Sequence, residues 1–223
     1  MTIALTKRKL ETTVRDALAD WLGPLGFRPS ASGGVERCSD GRYEYVACVV
    51  SRVGGENRVQ PFAQVGWLRR KKIYSHFMSE NPDESNKIAV DVTFRYAHFK
   101  RDWTARMVCQ TQEQVPAFLE SLKMFLTDQM LPAMRSCATP RDALNLYLKK
   151  NEDDKTSFDP PSWYGHTSAL TALILARLYA PEHFEPLKQR YRRQFEGLDS
   201  ETLAQSHRLL AYLEKSDPLP ELP

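Results

Sequence analysis

Leu10, Val14, Ala17, Leu18 and Trp21 recur at three- and four-residue intervals, which predicts an amphipathic helix over residues 6–22. Gly23 and Pro24 then stop it. After "LGF" at 25–27 the period shortens to two. "VERC", "RYEYVACVVSRV" and "VQPFAQVGWL" are rich in Val, Tyr, Phe and Trp, and "SDG" and "GGEN" separate them. Apolar alternation bounded by Asp-Gly and Gly-Gly signals predicts an antiparallel meander.

In the third run Ala63, Val65 and Trp67 alternate with Gln64 and Gly66. Residues 69–87 read as a long polar connection, with one irregular or helical turn near "IYSHFM". The pattern of residues 88–97 is that of a strand, with Ile88, Val90, Val92, Phe94 and Tyr96 on one face. Ala89, Asp91, Thr93, Arg95 and Ala97 take the other. "WTARMVC" alternates likewise, with Thr104 and Arg106 on its polar side. One apolar and one polar face per strand predicts a sheet covered on one face.

From residue 113 onward the apolar spacing is helical. Pro132 is expected to kink or end the first of these helices. Thr139 and Pro140 look like the cap and first residue of the next. "NEDDKTSFDPPSWYG" is a loop of unusual length. The segment "ALTALILARLYA" after it is apolar nearly all round and should be the central buried helix. Two further helices follow, with Asp199 capping the last. The expected fold is therefore α+β: an N-terminal helix, a meander sheet of about five strands, and a C-terminal bundle of about five helices. Residues 1–223 form one domain, with a sheet part (1–112), a helical part (113–217) and a frayed tail (218–223).

Composition changes this picture little. The chain has 223 residues, 42% hydrophobic and 26% charged, with a net charge of +3. That is a globular balance, and it gives no general signature of a polyanion binder. Charge is uneven along the chain, basic over residues 1–80 and acidic over 151–223. Cys38, Cys48, Cys109 and Cys137 are scattered and form no C-x-x-C pair, which fits reduced thiols. "MTIALTKRKLETT" lacks the apolar core of a signal peptide, and no apolar run reaches membrane-spanning length. A soluble, cytoplasmic protein is expected.

Chemistry is sparse. The five histidines show neither H-x-x-H nor H-E-x-x-H spacing, so no metal ligand set is expected. "WYGHTS" lacks the G-x-S-x-G elbow of a serine hydrolase. No glycine-rich phosphate loop occurs. No cofactor and no catalytic residue is assigned.

Three surfaces remain as candidates for partner binding. Arg69, Arg70, Lys71 and Lys72 leave the third strand together, with Trp67 turned into the core. They suit a solvated strand end, a protein-docking patch or a nucleic-acid contact. The polar sheet face carries Arg95 and Arg106, read as cross-strand neighbours of Asp91. In the long loop, Trp163 and Tyr164 follow Pro160 and Pro161 and fit either a recognition anchor or a lid.

The order of elements, "LGF" at 25–27 and "ALTALILARLYAPEHFEPLKQRY" resemble a family of uncharacterised bacterial α+β domains. Some of its members lie near polymorphic-toxin genes as candidate immunity proteins. The resemblance implies a small cytosolic protein that binds a protein partner and carries no active-site residues. The expected function is thus a non-enzymatic protein-binding module, immunity- or antitoxin-like, whose partner presents an acidic surface. The alternative is a nucleic-acid-binding accessory domain using residues 69–72. A third reading is a small enzyme built around His166.

Overall fold

The computed structural model describes residues 4–78, 92–100, 105–148, 165–195 and 198–215. Helix α1 (Lys7–Leu22) is capped by Thr6, whose hydroxyl accepts from the Lys9 amide at 3.3 Å. It buries Leu10, Val14, Leu18 and Leu22, one residue per turn. The chain then passes through a 3-10 turn at Gly23–Leu25 and reverses at Gly26, whose φ of 85° suits glycine.

Strands β1 (Arg28–Pro29), β2 (Val35–Ser39), β3 (Arg42–Val53) and β4 (Glu56–Trp67) follow as an antiparallel meander. The β2–β3 turn is Asp40-Gly41, both with positive φ, and the β3–β4 turn is Gly54-Gly55, also both positive. These are the backbone conformations that two-residue hairpins demand. Along β4 every second residue from Asn57 to Trp67 is buried, as the alternation predicts. The mixed α+β class, the opening helix and the antiparallel sheet agree with the sequence.

Beyond β4 two expectations are corrected. Residues 68–78 form a full helix, α2 (Leu68–Met78), where a connection with one irregular or helical turn was expected. Strand β5 is only Val92–Arg95, and Tyr96–Lys100 is a short helix, α3. The change of period has a packing reason. Tyr96 and Phe99, three residues apart, both set their rings edge-on against Phe125, at 4.8 and 5.3 Å.

Strand β6 (Met107–Val108) pairs with β4 at Arg58 and Val59, while β5 pairs with β4 at Phe62–Val65. The two strands occupy successive stretches of β4.

Helix α4 (Val115–Phe125) does not end at Pro132. A π-helical stretch, Leu126–Met130, carries it into α5 (Leu131–Ser136). Proline lacks the amide that would close an α-turn, and the wider turn before it accommodates that loss. Helix α6 (Pro140–Leu148) starts as predicted. The Asp142 amide donates to the Thr139 hydroxyl at 3.2 Å, and the Asp142 carboxylate accepts from the Thr139 amide at 2.8 Å.

Helix α7 (Gly165–Tyr179) is sheathed on all sides from Ala169 to Ala176, as its apolar run requires. Helix α8 (Phe184–Phe195) and helix α9 (Ser200–Leu213) complete the described elements. Asp199 caps α9, accepting from the amides of Glu201 and Thr202 at 3.1 and 2.9 Å. These bonds favour the carboxylate and hold its pKa below the usual range.

The chain divides into two compact units. One gathers Met1–Val65 and Val92–Ala138, so that α4 and α5 belong with the sheet. The other gathers Gly66–Asp91 and Thr139–Pro223, and within it α7 packs against α2, α6, α8 and α9.

Candidate partner-binding surface

The four consecutive cations do not form a knuckle on a loop. They occupy the first turns of α2, and a helix spreads consecutive residues about 100° apart. Ile73 and Tyr74 are buried, and Arg70 precedes them at the same helical spacing. Arg70 is fully enclosed, with its guanidinium 5.6 Å from the Tyr74 ring centroid. Lys71 is half-buried. Arg69 and Lys72 are exposed, and His76 continues their stripe one turn on.

Among the described residues neither Arg69 nor Lys72 takes part in an ion pair. Elsewhere in the same unit Arg141 pairs with Glu182 at 2.6 Å. Lys188 pairs with Glu185 and Glu214 at 2.8 and 2.9 Å, and these bonds raise the Lys188 pKa. The first turn of α2 contains no acidic residue. Cations there oppose the helix dipole, so an external negative charge would be favourable twice over.

The other predicted residues are dispersed. Arg95 sits half-buried on β5, opposite Phe62 of β4. Arg106 flanks β6, half-buried, and donates to the Ala105 carbonyl at 2.6 Å. β5 and β6 pair with successive stretches of β4, and Asp91, the expected neighbour of Arg95 and Arg106, lies outside the described residues. Trp163 and Tyr164 lie outside them too.

Two polar features of the sheet unit escaped the sequence. Glu44 of β3 is buried and held by both Arg37 and Arg42. Arg37 also lies over the Phe27 ring and donates to the Leu25 carbonyl, while Arg42 donates to the Met134 carbonyl. The cluster ties the 3-10 turn after α1 and helix α5 to the sheet.

The second feature is a groove of about 490 Å³ along α1, lined by Arg8, Glu11, Thr12, Arg15, Ser32 and Cys48. Burial pushes the Cys48 thiol up to about 12, so it stays protonated at neutral pH and is a poor nucleophile.

Among the described residues no three His, Cys, Asp or Glu side chains converge as metal ligands, and no helix is long and apolar enough to cross a membrane. No protein-family model matches the chain, and neither a curated protein nor a solved structure is significantly similar to it.

Proposed function

We propose that this chain is a non-enzymatic protein-binding module, of the immunity or antitoxin kind, that docks an acidic protein surface through α2. The observation that carries the reading is the pair Arg69 and Lys72, exposed three residues apart on one helix and engaged in no ion pair among the described residues. An unneutralised positive stripe steers and orients an acidic partner. The nucleic-acid alternative draws on the same cations. It lacks their aromatic companions, because Trp67 and Tyr74 are buried and offer no stacking platform.

The test is binding to the protein encoded beside this chain, measured by co-purification and by thermal shift. A complex at micromolar concentration that R69A/K72A weakens supports the reading. No complex, or one indifferent to that double substitution, overturns it. Tight, steeply salt-dependent binding to DNA or RNA in place of protein favours the alternative.

A further inference from the structure

Helix α9 packs against α2, and Tyr212 stands at their junction. Its ring lies 5.1 Å from Phe77 of α2 and 5.8 Å from the Lys215 ammonium. Arg69 lies two turns before Phe77 on α2, and burial raises the Tyr212 pKa while the charge of Arg69 works against that rise. On α9 Arg208 is one turn before Tyr212, and Lys215 follows just past the helix end. Both are exposed at the edge of the buried stripe formed by Ser206, Leu209, Tyr212 and Leu213.

Arg69 and Lys215 therefore flank one buried tyrosine, with Lys72 one turn after Arg69 on α2 and Arg208 one turn before Tyr212 on α9. Among the described residues no ion pair engages Arg69, Lys72, Arg208 or Lys215. Glu214, which caps the end of α9 beside Lys215, is held by Lys188. On α2 there is no acidic residue at all.

We infer that α2 and α9 form one continuous basic surface, with Arg69 and Lys72 contributed by the first helix and Arg208 and Lys215 by the second. Its occupant is an acidic segment of a partner protein, long enough to cross both helices. This inference rests on the protein-docking reading above and adds a second half to its site. A run of carboxylates needs nothing more, whereas a phosphate backbone would meet the same charges with no exposed Phe, Tyr or Trp ring among the described residues of α2 and α9 to hold its bases.

The experiment titrates the full chain with a fluorescent peptide rich in glutamate and, separately, with a single-stranded oligonucleotide of equal charge. Both are followed by anisotropy at low salt. The peptide is expected to bind, and R69A/K72A and R208A/K215A are each expected to weaken it about fivefold or more. Melting curves of the variants should match the parent, because all four residues are exposed. If R208A/K215A binds like the parent while R69A/K72A does not, the α9 half is wrong and the α2 reading stands. Peptide binding that survives both double substitutions, or no binding at all, overturns both. Tighter binding of the oligonucleotide assigns the surface to nucleic acid and overturns both as well.

Discussion

The Arg70 guanidinium lies over the ring of Tyr74, one helical turn further along α2, and both side chains are buried. Arg69, its neighbour in sequence, is exposed. Two adjacent arginines thus have opposite duties. Arg70→Ala removes a fully enclosed side chain and should cost about 3 kcal/mol. Arg69→Ala and Lys72→Ala should each stay within about 0.5 kcal/mol. Chemical denaturation separates the two classes, and an Arg70→Ala protein as stable as its parent would show that the core tolerates its loss.

Glu44 makes a second stability prediction. Its carboxylate is buried between Arg37 and Arg42, and Arg42 is itself mostly enclosed. Glu44→Ala leaves those guanidinium groups without their counter-charge and should destabilise by about 3 kcal/mol or more. Arg37→Ala should cost less, because Arg37 is partly solvated and Arg42 still neutralises the carboxylate. Equal losses in the two variants would contradict this asymmetry.

Much of the sheet was legible in the sequence because hairpins have local signatures. Asp40-Gly41 and Gly54-Gly55 adopt the positive φ angles that their residue types announce. Helix α2 was hidden for a physical reason. Its core face begins with an arginine, so Arg70, Ile73 and Tyr74 do not register as an apolar stripe. The switch from β5 to α3 was equally silent. Ala97, on the polar face of the expected strand, is buried in the helix, and only the long-range packing of Tyr96 and Phe99 on Phe125 selects that helix. Arg208 and Lys215 were missed because nothing local links them to Arg69. The link is Tyr212, and it exists only once α9 lies on α2.

The cysteines give a pH prediction. The folded chain holds the Cys48 thiol near 12, against 9.0 for a free thiol. A group whose pKa is raised by folding contributes fully below its unfolded value and loses that contribution as pH rises. Stability should therefore be level with respect to this group below about pH 9 and fall between about 9 and 12. Cys48→Ala should flatten that part of the profile. At pH 8 a thiol reagent should modify exposed Cys38 much faster than Cys48. Comparable rates at the two sites would mean that the groove along α1 opens readily to the reagent.

Gly34 supplies the sharpest steric prediction. It has no left-handed backbone to justify glycine, yet a Cβ placed there would sit 2.5 Å from the Val46 carbonyl oxygen and 2.7 Å from the Ala47 Cβ. The neighbours belong to β3, whose Val46 pairs with Val35 of β2, so they cannot yield without shifting the ladder. Gly34→Ala should destabilise by about 2 kcal/mol or more through overpacking. Gly23→Ala, where the added carbon meets nothing within 4 Å, should be close to neutral. A denaturation midpoint for Gly34→Ala equal to that of Gly23→Ala would show that the β2–β3 edge is looser than its packing implies.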